Sequence, residues 1–103
     1  MTKADLSLGF VGLGALGLPM AINLHRAGFR LRVHTRSRKA ETNSELEGAT
    51  PCSSPAEAST GVDVLLLCVS DDAAVEAVLF GPNGAASQLR AGSVVLDLSL
   101  IHI

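Results

Sequence analysis

The sequence contains no tryptophan and no tyrosine, and three phenylalanines bring aromatics to only 3% of its 103 residues. A platform for single-stranded nucleic acid stacks bases on aromatic faces, so the composition argues against that class and no nucleic-acid partner is expected. Cysteine is scarce too. Cys52 and Cys68 form no Cys-x-x-Cys pair and belong to no Cys/His cluster, so neither a zinc site nor dithiol chemistry is indicated. Two unpaired thiols suit a reducing cytoplasm. The longest unbroken apolar run, Val64 to Val69, has six residues, whereas a membrane span needs about 20. The short polar start after Met1 lacks the pattern of a secretory signal. The expectation is a cytoplasmic protein with no membrane partner.

One further absence is local. From Leu6 to Ala40 there is no acidic residue, although the whole chain has a net charge of −2. The same stretch holds Arg26, Arg30, Arg32, Arg36, Arg38 and Lys39. Such a positive excess is a candidate for phosphate recognition; a solvated basic face is the alternative. Hydrophobic residues make up 48% and charged residues 17%, so residues 1–103 are expected to form a single domain with a real core.

Along the chain, apolar strands alternate with helical patterns. Leu6 to Val11 reads as a strand ending at Gly12. Ala15 to Ala27 reads as a helix with Leu16, Met20 and Leu24 on one apolar face, stopped by Gly28. Arg30 to His34 is a second strand, Arg38 to Leu46 a polar helix, and Gly48 to Cys52 a short third strand. Ser54-Pro55 opens a small helix, with Ser54 as its cap. Val62 to Val69 is apolar almost throughout, as befits a parallel strand covered on both faces. Ser70 caps a helix from Asp71 to Leu79, with Asp71 and Asp72 matched to its dipole rather than to a metal. A turn at Gly81-Pro82-Asn83-Gly84 and a strand from Ser93 to Leu98 complete the series. This alternation predicts an α/β, Rossmann-type doubly wound parallel sheet. The sheet is expected to be incomplete.

Gly12-Leu13-Gly14-Ala15-Leu16-Gly17 is a Gly-x-Gly-x-x-Gly set between a strand and a helix. Alone the pattern is weak; in that setting it is a dinucleotide-binding signal. Gly12 permits the tight turn, Gly14 lets backbone approach a pyrophosphate, and Gly17 lets the helix pack on the sheet. The helix N-terminus offers free N–H groups to the phosphates. NAD enzymes usually place an Asp or Glu at the end of the second strand, for the adenosine ribose. Here the chain runs His34-Thr35-Arg36-Ser37-Arg38. Arg36 could pair with a 2′-phosphate while Thr35 and Ser37 donate hydrogen bonds to it. NADP is therefore favoured, with NAD as the alternative. Cys68, Val69 and Ser70 end the central strand and should face the cofactor, since ligands lie beyond the strands' carboxyl ends. The Cys68 side chain is read as core packing, and His25 as solvated.

The run from Gly12 to Gly28 also resembles the N-terminal signature of the β-hydroxyacid dehydrogenases, which include 3-hydroxyisobutyrate dehydrogenase. The elements Pro19-Met20-Ala21, Asn23-Leu24 and Ala27-Gly28 are more specific than the glycines. The resemblance continues through Val33 to Ser37, Ser54 to Ala58, Ala73 to Gly84 and Gly92 to Ser99. It implies an NADP(H)-dependent oxidoreductase acting on a small hydroxy acid or its carbonyl partner, homo-oligomeric at full length. In the family a lysine protonates the substrate oxygen while the nicotinamide donates hydride. Asp97-Leu98-Ser99 resembles the start of the family's Asp-x-Ser-Thr motif, which makes Ser99 a substrate-side candidate. Leu100 stands where the family has Thr.

The family's glycine-rich substrate loop, catalytic lysine and C-terminal helical domain have no counterpart in these 103 residues. No catalytic residue is therefore expected here. Residues from about 98 to 103, Leu-Ser-Leu-Ile-His-Ile, are expected to be non-native. The codons CTG TCT CTT ATA CAC ATC, a transposon end used in DNA library preparation, encode that peptide. Two other readings compete: a non-catalytic dinucleotide-binding module, and a fragment of an imine reductase.

Overall fold

Strand β1 (Ser7–Val11) is buried along almost its whole length, because it becomes the middle of a sheet with neighbours on either side. The computed structural model describes residues 6–36, 43–69 and 72–98. Helix α1 (Gly17–Arg26) leads to β2 (Arg30–His34); a 3-10 turn (Ser44–Leu46) precedes β3 (Thr50–Pro51). Helix α2 (Pro55–Ser59) leads to β4 (Val64–Leu67), and α3 (Asp72–Phe80), with a second 3-10 turn (Ala85–Ser87), leads to β5 (Val94–Asp97). The five strands are all parallel, in the order β3-β2-β1-β4-β5. This is the Rossmann arrangement, in which the chain leaves β1 on one side and returns on the other.

Strand parity divides the core into two layers. Leu8 and Phe10 of β1, Leu31 and Val33 of β2, and Leu66 of β4 pack with Ala21 of α1 and Leu46. Val11, Leu65 and Leu67 point the other way and pack with Ala58 of α2 and Ala85, flanked by Val75, Val78 and Leu79 of α3. Helices thus cover both faces, as the alternation predicted. Phe10, Leu65 and Leu67 are fully buried, and truncating any one to Ala should cost about 2–5 kcal/mol. Helix α2 begins as expected: the Ser54 hydroxyl accepts from Glu57 N–H at 3.1 Å, and the Glu57 carboxylate accepts from Ser53 N–H at 2.9 Å. A cap of this kind contributes about 1 kcal/mol. No helix among the described residues is long and apolar enough to cross a membrane.

Two expectations need correction. Of the expected apolar face of α1, Leu24 packs against the core, but Leu16 is 51% and Met20 37% exposed, and Gly17 and Ala21 are buried in their place. Small residues win the sheet-facing stripe because they let the helix axis come close. A polar helix over 38–46 is not what residues 43–46 form. Asn43 instead caps a single 3-10 turn by accepting from Glu45 N–H; residues 37–42 lie outside the described residues. His25, read as solvated rather than catalytic, makes an exposed contact in which its Nε2–H donates to Glu47 O at 2.7 Å.

Candidate functional site

A cleft of about 440 Å³ opens at the carboxyl ends of β1, β2 and β4. One end is made by the turn from Val11 through Gly14. Gly12 adopts φ +102°, a conformation that L side chains rarely adopt. Its N–H donates to His34 O at 2.9 Å, and a Cβ there would collide with Cys68 O. A Cβ on Gly17 would overlap Gly12 O. These two glycines are required by the packing of the chain on itself.

Gly14 is different. It lines the cleft, and a Cβ built on it would meet nothing within 4 Å. Among the described residues no contact requires glycine at this position, and the room beside it opens into the cleft. Helix α1 starts three residues later with no side-chain cap and no acidic residue in its first turn. Leu18 N–H is taken by Gly14 O at 3.0 Å and Pro19 has no N–H, so an anion at this helix start would be met chiefly by the amides of the preceding turn.

The opposite end is made of side chains. His34, Thr35 and Arg36 line it, and Arg36 is exposed. Among the described residues Arg36 has no ion-pair partner, and no carboxylate lines the cleft. The other described arginines of the basic stretch do not gather here. Arg26 pairs with Glu45, and Arg32 Nε donates to Glu57 O at 3.0 Å. Of Arg26, Arg30, Arg32 and Arg36, only Arg36 lines the cleft.

Cys68 and Val69 form the wall between the two ends. Cys68 was read as core packing; it is half-buried, packs against the α1 layer and also faces the cleft. Burial, with the nearby Asp97 carboxylate adding to it, pushes the Cys68 thiol above its ordinary pKa, so it stays protonated at neutral pH.

Gly12, Leu13, Gly14, Thr35, Arg36, Cys68 and Val69 are thus brought together around one cleft. Ala15, Leu16 and Gly17 do not line it; they form the turn and helix start behind it. Ser37, Ser70 and Ser99 lie outside the described residues. The sequence reading missed His34, Pro55, and Ala74, Ala77 and Val78 of α3, which also line the cleft. Alanine and valine carry no chemical signal. His34 could have been found by position, since it is the last residue of β2 and ligands lie beyond the strands' carboxyl ends.

An all-parallel doubly wound sheet with a glycine turn and an uncapped helix at its switch point defines the dinucleotide-binding class of α/β domains. The sequence profile of the NAD binding domain of 6-phosphogluconate dehydrogenase matches residues 7–103, and the chain belongs to this family. It is similar to 2-hydroxy-3-oxopropionate reductase of Escherichia coli, 40% identical over 96 residues, covering 93% of this chain and 32% of that protein. It is also similar to L-threonate dehydrogenase of Cupriavidus necator, 41% identical over 92 residues, covering 87% and 30% respectively. Among solved structures, Psf3 in complex with NADP+ and 2-OPP superposes with a TM-score of 0.80 at 29% identity, over 91% of this chain and 34% of that one. The chain spans about one third of the length of the curated relatives it matches.

Proposed function

We propose that the chain is the NADP-binding part of a longer oxidoreductase acting on a small hydroxy acid or its aldehyde or keto partner. When bound, the nicotinamide cofactor supplies or accepts the hydride. The residues of this chain bind and orient it. Gly14 and the backbone amides of the turn through Leu13, Ala15, Leu16 and Gly17 hold the pyrophosphate. Arg36, with Thr35 and Ser37, holds the 2′-phosphate. Cys68 and Val69 line the passage between the two ends; Ser70, as a cofactor residue, and Ser99, as a substrate-side residue, are carried as candidates from the sequence alone. NAD is the alternative cofactor.

The observation that carries this reading is Arg36 at the cleft's far end, with neither an ion-pair partner nor a carboxylate lining the cleft among the described residues. The names of the relatives support the substrate class. The exposed apolar strand β5, with Val94, Val95 and Leu96 at 50%, 39% and 45% exposure, supports a further domain or subunit covering that edge. Two free cysteines suit a cytoplasmic setting.

Titration of NADPH and NADH into the protein carrying this chain tests the proposal. NADPH should bind more tightly, and Arg36→Ala should weaken NADPH by about tenfold to a hundredfold, the worth of a charged hydrogen-bonded pair. Equal affinity for the two cofactors in the unmutated protein would refute the NADP assignment. The 103-residue chain alone should show no cofactor-dependent oxidation of hydroxy acids, because general acid catalysis needs a group within reach of the substrate oxygen.

A further inference from the structure

We propose that His34 is a positioning residue for cofactor choice: its ring, hydrogen-bonded to the carbonyl of Cys52, sets the Thr35–Arg36 segment where a 2′-phosphate would be received. The proposal rests on the NADP reading above and gives it a mechanical basis.

The His34 ring lies on the sheet face that α2 covers, the same face from which Arg32 reaches Glu57 O. The residue is 9% exposed and lines the cleft. Its Nδ1 is 2.9 Å from Cys52 O. A carbonyl can only accept, so Nδ1 carries the hydrogen. Cys52 is a firm anchor: it is fully buried, and its own N–H donates to Val33 O at 2.7 Å. The β2–β3 ladder comprises just two residue pairs, Arg32–Thr50 and Val33–Pro51. The His34 ring adds a side-chain tie beyond the last of them.

The backbone of the same residue is tied in the other direction, since His34 O accepts from Gly12 N–H at 2.9 Å. One residue therefore joins the glycine turn at one end of the cleft to the exit of β3 at the other. Arg36 follows two positions later, exposed and on a long flexible stem. Its aim depends on how well the backbone at Thr35 is held. A bidentate guanidinium–phosphate contact is geometrically demanding, so slack in this segment should be felt in the contact to a 2′-phosphate. Contacts at the glycine turn, which NADH shares, should be spared.

A ring that merely filled space would be replaceable by an apolar side chain. A ring acting through Nδ1–H should be replaceable by Asn, whose amide nitrogen falls near the Nδ1 position, and not by Gln, whose amide reaches further. The test is calorimetric titration of NADPH and NADH into the protein carrying this chain, as wild type, His34→Asn, His34→Gln and His34→Leu. Nitrogen-15 NMR of the His34 ring reports which nitrogen holds the hydrogen. The expected result is a hydrogen on Nδ1 and NADPH binding weakened about tenfold in His34→Leu and His34→Gln, with NADH changed by less than about threefold. His34→Asn should retain the wild-type preference.

If His34→Leu fails to fold, the Asn and Gln variants decide. Gln matching Asn, or NADPH and NADH weakening in step, overturns the proposal. A wild type that binds the two cofactors equally overturns it too, while leaving the glycine-turn reading intact. A wild type that binds neither removes the functional reading beneath it.

Discussion

The two ends of the sheet are finished in opposite ways. At the amino ends of the strands, the Asp63 carboxylate accepts from Ser7 N–H at 2.9 Å and pairs with Arg90 at 2.9 Å, while Ser93 donates to Val62 O at 3.2 Å. Polar groups there answer one another. At the carboxyl ends, the chain leaves an uncapped helix start, an empty position beside Gly14 and an arginine without an ion-pair partner among the described residues. One end is closed for stability and the other is held open. Unsatisfied capacity, rather than any single residue, is what marks the working end.

That contrast can be broken experimentally, and Gly17 gives the hardest blow. It sits at the open end but is locked, because a Cβ would overlap Gly12 O. Gly17→Val should cost about 3 kcal/mol or more by forcing the turn away from the helix, read as a large drop in urea midpoint. Gly14→Val should do the reverse. Its side chain enters open space, so stability should change by no more than about 0.5 kcal/mol, the range of exposed sites. Cofactor binding should nevertheless be lost on calorimetry. If the two valines behave alike, the distinction between locked and open glycines is wrong.

A smaller effect is expected at the closed end. Asp63→Ala removes the acceptor for Ser7 N–H and the partner of Arg90, a pair more than a third exposed. A loss of about 1–2 kcal/mol in stability should follow, with cofactor affinity unchanged. Smallest is the behaviour of Cys68. Its thiol is held above its ordinary pKa by burial and by Asp97. The folded state thus keeps a proton that the unfolded chain releases. The sign is that Cys68 lowers stability as pH rises from the ordinary thiol value toward the folded one. In a Cys52→Ala background, iodoacetamide at pH 8 should label Cys68 several-fold more slowly in the folded chain than in urea, since the thiolate is the reactive form. Equal rates would show that the wall of the cleft is not desolvated.

Much of this was legible beforehand, for identifiable reasons. Strand β4 is apolar on successive residues because both its faces are covered, and a short continuous apolar run reports that directly. The turn at Gly12 was legible because a positive φ and a carbonyl contact leave glycine no substitute. The inward stripe of α1 was not. Hydrophobic periodicity favours Leu16 and Met20, whereas close packing favours Gly17 and Ala21, and sequence patterning weighs size poorly. The lining of the cleft by Ala74, Ala77 and Val78 depends on how α3 tilts over the sheet. The role of His34 depends on where a carbonyl 18 residues away comes to lie. Neither is encoded in any local pattern.

The shortest strand has a consequence for how the sheet can grow. In β3 the Cys52 N–H turns inward to Val33 O, so the alternation of the strand sends the preceding position, Pro51, outward. Proline has no N–H to offer there, and an arriving strand would find that rung missing. The β3 margin is thereby sealed by an imino acid. The opposite margin is β5, whose Val94, Val95 and Leu96 are solvent-exposed and carry no such block. Among the described residues, strand addition to this sheet is obstructed at Pro51 and unobstructed at β5.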